Sequence, residues 1–389
     1  MRAGLTALVA AYVLSQFYRA FLAVLAPALE ADLGASASDL AMASGYWFLT
    51  FAAMQVPVGW ALDRVGPRLT AASLLAIGGV GALIFATAKG AGAIQLAMAL
   101  IGVGCSPVLM AAFYIFAREF SPTAFATLAG VTIGIGSLGN IGASLPLTMV
   151  VEAVGWRLAI GILGGVTLAI AALLALLIRD PARVEGEASG SLTELLRMRA
   201  LWPVLIMMAV CYAPAASIRG LWIGPYFRDV FGADAGTIGQ ASLIMGLAMV
   251  AGNFAYGPME RVLRSRKRLI LGGNLAVLAC FALLWLMPAA SGAVALGLLA
   301  GIGFFGASFP TTVAHGRAFV PPHLIGRGVT LLNLFGIASA GLMQQATGWL
   351  YAAAPTQPAT AAYTTLFGFI ALWLAVGLVI YAFAQDRMD

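Results

Sequence analysis

The sequence predicts an all-α membrane protein of twelve transmembrane helices, built as two pseudo-symmetric six-helix bundles with both termini on the cytoplasmic side. Three observations carry this expectation. Hydrophobic residues fill 62% of the 389 positions and charged residues only 9%, against roughly 25% in a soluble domain whose surface must face water. Apolar runs of about 20 residues, each long enough to cross a hydrocarbon core as a helix, recur from one end to the other. The longest polar stretch falls midway, where a linker between two halves would lie.

Apolar runs between charged or Gly/Pro-containing breaks place the spans near 5–28, 40–62, 69–88, 92–117, 124–149 and 157–178, then 201–227, 237–258, 268–288, 292–316, 325–350 and 361–384. The polar segment 179–200, rich in charge, Gly and Ser, separates a first bundle over 1–178 from a second over 201–389. Its tail, Leu192 to Arg199, is expected to form a short surface helix.

The net charge of +6 does not imply a nucleic-acid partner, because the basic residues sit in short loops and not on one continuous face. Topology accounts for them instead. With a cytoplasmic N-terminus, the inner loops gather Arg64 and Arg68, Arg197 and Arg199, and the run from Arg264 to Arg268, while the outer loops hold only Lys89, Arg157 and Arg228. That asymmetry follows the positive-inside rule and fixes an even number of spans. Cys105, Cys211 and Cys280 are single and lie in apolar segments, so they read as packing residues and not as metal ligands or a disulfide framework. Residues 1–28 resemble a signal peptide in their charged start and apolar run, but Arg19 interrupts that run and further spans follow, so an uncleaved first span is expected.

The halves repeat one another. Tyr12 precedes Arg19 by seven residues in the first span, and Tyr212 precedes Arg219 by seven in the seventh. A proline and then an acid follow in both, as Pro27 and Glu30, and as Pro225 and Asp229. Charged turns follow the second span of each half, at Gly59–Arg68 and Gly257–Arg268, and Gly-Val-Thr recurs at 130–132 and 328–330. Such weak internal symmetry is what two parallel six-helix repeats leave in a sequence.

The first charged turn reads Gly59-Trp60-Ala61-Leu62-Asp63-Arg64-Val65-Gly66-Pro67-Arg68 and resembles the loop 2–3 signature of the major facilitator superfamily: a glycine, Asp-Arg, a glycine and a basic residue. Span count, central linker and loop position agree, so the resemblance covers the whole chain. It implies a secondary transporter working by alternating access in a bacterial cytoplasmic membrane, a monomer without catalytic activity, cofactor or metal. Gly59 and Gly66 permit close helix approach and a tight turn, and Asp63, flanked by Arg64 and Arg68, is expected to pair with a basic residue or cap a helix as a conformational latch.

The chain also departs from family patterns. Met98, ahead of Gly102 and Gly104, stands where an arginine often begins the fourth-span motif, so the proton-coupling scheme attributed to that arginine does not transfer. The fifth span, Gly134-Ile135-Gly136-Ser137-Leu138-Gly139-Asn140-Ile141-Gly142, lacks the Gly-Pro pair of the drug-proton antiporters, so it lends no support to export.

Arg19 carries most of the functional reading. It lies about 16 Å of helix from Glu30, too far to snorkel easily, and an arginine at that depth costs about 2.5 kcal/mol or more unless it faces a watery cavity or an anion. On a helix, Tyr12, Ser15, Gln16 and Arg19 form one polar stripe, and the seventh span offers Tyr212, Arg219, Trp222 and Tyr226. Two guanidinium forks, one from each half, would converge on a midplane site and grip an oxyanion bidentately. The pair resembles the organophosphate/phosphate antiporter branch, where first- and seventh-span arginines hold the anion.

All fifteen acidic residues map to loops or span ends, so a small organic anion, a carboxylate or phosphate ester, is the expected counter-charge. Arg219, only ten residues from Asp229, is expected to be the weaker of the two and to lean outward. Asn140 and Asn333 join the candidate substrate contacts, and Tyr46, Trp47 and Tyr114 are candidate aromatic walls. Gly139-Asn140-Ile141-Gly142 also resembles half of the nitrate/nitrite carrier signature, so an inorganic oxyanion is the alternative cargo. A membrane-embedded enzyme or a transport-inactive sensor is the alternative of another class, disfavoured by the lack of a buried base or metal cluster. His315 and His323 flank the inner ends of the tenth and eleventh spans as loop histidines expected to be solvated. A coupling proton or counter-anion completes the expected partners, with the lipid bilayer.

Overall fold

A computed structural model describes residues 2–181, 192–321, 324–355 and 357–387. The chain divides into two compact units, Met1–Gly186 and Glu187–Asp389. Regular structure among the described residues is helical throughout. Residues 182–191 of the expected linker, and His323, lie outside the described residues.

The first unit contains α1 (Arg2–Tyr18), α2 (Phe21–Leu33), α3 (Ala37–Ala53), α4 (Gln55–Arg64), α5 (Pro67–Ala86), α6 (Ala91–Cys105), α7 (Val108–Glu119), α8 (Pro122–Gly142), α9 (Leu145–Val154) and α10 (Trp156–Leu177). The expected first span is therefore two helices, bent by 50° where Arg19 and Ala20 leave helical geometry. No proline or glycine marks that break; the nearest, Pro27, lies inside α2. The fifth span bends by 44° at Ser144, and Pro146 sits in the first turn of the new helix, where its missing N–H is harmless.

Glycines set the packing around these breaks. A side chain on Gly139 of α8 would collide with the carbonyl of Val13, and one on Gly136 with the ring of Tyr12, so the glycine-rich fifth span is the surface against which α1 lies. Gly102 of α6 performs the same service for α3, since the Trp47 carbonyl and the Thr50 hydroxyl occupy the space its side chain would need.

The second unit contains α11 (Leu192–Leu196), α12 (Trp202–Cys211), α13 (Ala213–Ser217), a π-helical turn (Ile218–Trp222), α14 (Ile223–Phe231), α15 (Ala235–Leu263), α16 (Arg266–Leu286), α17 (Gly292–Phe305), α18 (Phe309–Arg317), α19 (Ile325–Ala353) and α20 (Thr360–Tyr381). The short α11 falls in the expected surface-helix tail of the linker. Several starts are capped as their sequences suggest: Ser265 and Ser291 accept N–H groups of α16 and α17. Asp234 caps α15, and the Thr237 hydroxyl and amide hold its carboxyl below the usual range.

Among the described residues, eight helices are long and apolar enough to cross a bilayer, or ten when each bent pair counts as one span. The remaining expected spans fall on α3 plus α4, cut at Met54 into pieces of 17 and 10 residues, and on α19.

Candidate functional site

Both arginines singled out by the sequence sit where their helices are irregular. Arg19 occupies the break between α1 and α2, and Arg219 lies in the π turn between α13 and α14. Single π turns and helix breaks recur at functional positions because they redirect a side chain that regular geometry would aim elsewhere. The repeat of a tyrosine followed by an arginine after seven residues thus corresponds to a repeat of irregular backbone.

In the first unit, the Arg19 guanidinium lies 5.1 Å from the ring centres of both Trp47 and Phe51, which themselves stack at 5.2 Å. A cation against desolvated aromatic faces gains about 2 kcal/mol. Gln16 donates to the Tyr12 hydroxyl at 2.7 Å, one turn before Arg19. Tyr18 bonds to Thr167 of α10 at 2.9 Å, which fixes the end of α1. Asn140 is half-buried on α8 beside the Gly139 contact, and its side-chain oxygen is buried without a donor among the described residues. Of the expected aromatic walls, Trp47 meets Arg19; Tyr46 is exposed and Tyr114 lies under Arg118. Phe51, one helical turn after Trp47, escaped the sequence reading although its spacing placed it on the same face.

In the second unit, Arg219 is only 5% exposed. It does not lean toward Asp229: that carboxylate pairs with Arg228 at 2.8 Å and accepts the hydroxyls of Tyr351, at 3.0 Å, and Tyr363. The expected outward lean of Arg219 is therefore corrected, because its neighbour Arg228 and two tyrosines already satisfy the acid. Trp222 is fixed by a 2.9 Å bond from its indole N–H to Thr347 and by packing 5.1 Å from Tyr351. Tyr212 is half-buried and packs 5.2 Å from Phe309. Asn333 is half-buried on α19.

An aspartate pins the second segment of the first span of each unit. Asp32 of α2 accepts the Trp156 indole N–H at 3.1 Å and pairs with Arg157 at 3.0 Å, and Arg157 also donates to the carbonyls of Ala86 and Ala88. Asp229 of α14 ties to α19 and α20 through the two tyrosines.

The expected latch is built differently from the sequence reading. Gly66 has φ of +101°, a conformation that favours glycine, and the carboxylate of Asp180 fills the space beside it. Asp180, just past α10, accepts the Arg68 backbone N–H at 2.8 Å and so caps α5. Asp63 and Arg64 are exposed, and a side chain on Gly59 would meet nothing nearby. The second unit repeats the arrangement: Asp386, past α20, accepts the Lys267 backbone N–H at 3.1 Å and the Ser265 hydroxyl at the start of α16. An acid just past the last apolar run of each half was the visible signal, but its target is distant in sequence.

His315 is another correction. It is fully buried, with its ring nitrogens bonded to the Tyr381 hydroxyl at 2.7 Å and the Gln385 carbonyl at 2.9 Å. The polar segment past α20 lies over it and removes it from solvent. Among the described residues, no group of His, Cys, Asp and Glu is arranged to hold a metal ion.

Comparison with known proteins agrees with this architecture. The model of the Major Facilitator Superfamily matches residues 8–344, and the chain belongs to that family. It is a member of a transporter family, and its described residues include several helices long and apolar enough to cross a membrane. The probable sulfoacetate transporter SauU of Cupriavidus necator is 24% identical over 260 residues, a match spanning 62% of this chain and 60% of that protein's length.

Among solved structures, a bacterial homologue of the human lysosomal transporter Spinster superposes with a TM-score of 0.75 at 17% identity, covering 98% of this chain and 96% of its own. The D-xylose-proton symporter gives 0.77 at 14% identity, covering 99% and 98%. The nucleoside transporter NupG gives 0.75 at 15%, covering 98% and 99%. At such identities the likeness carries the fold and not the cargo.

Proposed function

We propose that the chain is an alternating-access transporter of a small organic anion, a carboxylate, sulfonate or phosphate ester, bound through Arg19 of the first half and Arg219 of the second. The observation that carries this reading is the repeated placement of an arginine at an irregular turn of the first helix of each unit, seven residues after a tyrosine. An arginine at membrane depth is costly and marks a substrate or ion path. Tyr12, Gln16 and Asn140 in the first unit, with Tyr212, Trp222 and Asn333 in the second, complete the proposed contacts. The sequence relative named for sulfoacetate, a small anion bearing a sulfonate and a carboxylate, supports the anion class. Twelve spans with cytoplasmic termini, and a first bundle over 1–178 joined by 179–200 to a second over 201–389, form the proposed topology. The loop from Gly59 to Arg68 then serves as an inner-face latch.

A thermal-shift screen of the purified protein against carboxylates, sulfonates and phosphate esters tests the reading. Ligand-dependent stabilisation should occur with anions of this class and vanish in Arg19→Ala and Arg219→Ala. Stabilisation by neutral sugars or nucleosides, unchanged in both variants, would remove the anion assignment.

A further inference from the structure

The charged turn of the first unit opens onto a cleft of about 280 Å³ between α4 and α5. Met54, Pro57, Trp60 and Val65 wall it on one side, and Leu69 and Leu74 on the other. From Met54 to Arg64 the helix rises about 15 Å, half of a hydrocarbon core of about 30 Å, so the cleft runs the depth of one leaflet. Trp60 is 63% exposed, and Val65 and Leu69 are exposed beside it, so these walls face outward and not into the bundle.

Polar groups gather at one end. Arg64 is exposed and continues the lining face of α4, four residues after Trp60 and seven after Pro57. Asp63, two residues on from Ala61 of the same wall, falls on the opposite side of the helix. Arg68 flanks the opening, 44% exposed and 3.8 Å from Asp180, too far for a hydrogen bond. Thr70, one turn into α5, lines the cleft; it is only 3% exposed, and its hydroxyl meets no hydrogen-bond partner among the described residues. Ser73, the other hydroxyl of the wall, already donates to the Leu69 carbonyl at 2.6 Å. The corresponding turn of the second unit engages its cations internally: Arg266 donates to Glu260 at 2.8 Å, and the Lys267 ammonium to the Ala382 carbonyl at 2.7 Å.

We propose that this cleft binds one anionic phospholipid, with its phosphate at Arg64 and Arg68, an ester carbonyl at the Thr70 hydroxyl and an acyl chain along the apolar walls. Cation, unsatisfied hydroxyl and apolar wall follow one another in the order of phosphate, ester and chain. A buried hydroxyl without a partner calls for an acceptor, which a hydrocarbon chain alone lacks. A packed protein helix would not supply one either, because its carbonyls are bonded within the helix. A soluble phosphate would leave the apolar walls bare. Basic pockets between membrane helices suit anionic headgroups, and an exposed tryptophan suits the lipid interface. The site is separate from the anion path proposed at Arg19 and requires only that the chain crosses a membrane.

Native mass spectrometry of the full-length protein in detergent, titrated with phosphatidylglycerol or phosphatidylcholine of identical acyl chains, tests the site. The wild type should retain one phosphatidylglycerol about 5-fold more tightly than phosphatidylcholine, and Arg64→Gln should remove that preference while leaving phosphatidylcholine unaltered. Thr70→Val should weaken both lipids by about 3-fold or more, since both carry esters, yet leave stability without lipid unchanged or higher, because it removes an unmet donor. Ether-linked phosphatidylglycerol, which has no ester carbonyl, should bind the wild type as weakly as the ester lipid binds Thr70→Val. Ala61→Phe should fill the cleft and weaken both lipids, while Arg261→Gln, at an exposed cation of the second unit, should change neither.

Equal wild-type binding of the two lipids would overturn the proposal, as would an Arg64→Gln effect shared by both or absent from both. Unchanged lipid binding in Thr70→Val would do the same. Displacement of the retained lipid by inorganic phosphate would mark a site for free phosphate and contradict the lipid assignment.

Discussion

The backbone carbonyl of Trp47 occupies the space that a side chain on Gly102 would need, and the same tryptophan lies 5.1 Å from the Arg19 guanidinium. A fourth-span glycine therefore governs an arginine in the first span without touching it. Gly102→Val should push α3 outward, costing about 1–3 kcal/mol of stability as overpacking and weakening anion binding by about 10-fold with Arg19 intact. Gly92→Ala, in open space on the same helix, serves as the control and should change neither. Thermal unfolding and ligand titration in detergent read both effects, and unaltered binding in Gly102→Val would separate Trp47 from the site.

The paired caps predict a shared stability effect. Asp180→Ala and Asp386→Ala each remove a carboxylate from a helix N-terminus and should each cost about 1 kcal/mol, seen as a lower unfolding temperature. Arg68→Gln should cost much less, since its side chain lies 3.8 Å from Asp180 and is 44% exposed, while the cap uses the backbone. Asp63→Ala should leave stability unaltered. If it also leaves transport unaltered, the latch role of Asp63 is removed and Asp180 remains the acid that organises this loop.

At the far end of the second unit, Asp229 joins Arg228, Tyr351 and Tyr363 into one network. Tyr363→Phe and Asp229→Asn should each destabilise by about 1–3 kcal/mol, because a buried partner is left unmet. Their double variant should cost clearly less than the sum, since the groups share one interaction. Additive losses in a double-mutant cycle would show that the network is not a unit.

The overall plan of helices was legible in the sequence because lipid permits so little else: apolar length, loop charge and the central polar stretch all follow from burying backbone in hydrocarbon. Arg19 and Arg219 were legible for the same reason, as charges that such helices rarely tolerate. What the sequence concealed is tertiary. Nothing local announces the break at Ala20 or the π turn at Ile218–Trp222, neither of which has a proline at the irregular residues. The burial of Arg219 was hidden because Arg228 competes for Asp229, and the burial of His315 because its partners lie 66 and 70 residues away. Asp180 and Asp386 reach partners more than 100 residues earlier, which no window of sequence connects.

Flux through reconstituted vesicles tests the central claim most directly. Purified protein in liposomes should accumulate labelled sulfoacetate or a related small organic anion, and Arg19→Ala and Arg219→Ala should each abolish the flux. Arg→Lys at either position should also transport poorly, because a point charge loses the two-pronged hydrogen bonding of the guanidinium. Wild-type rates in both alanine variants would contradict the account.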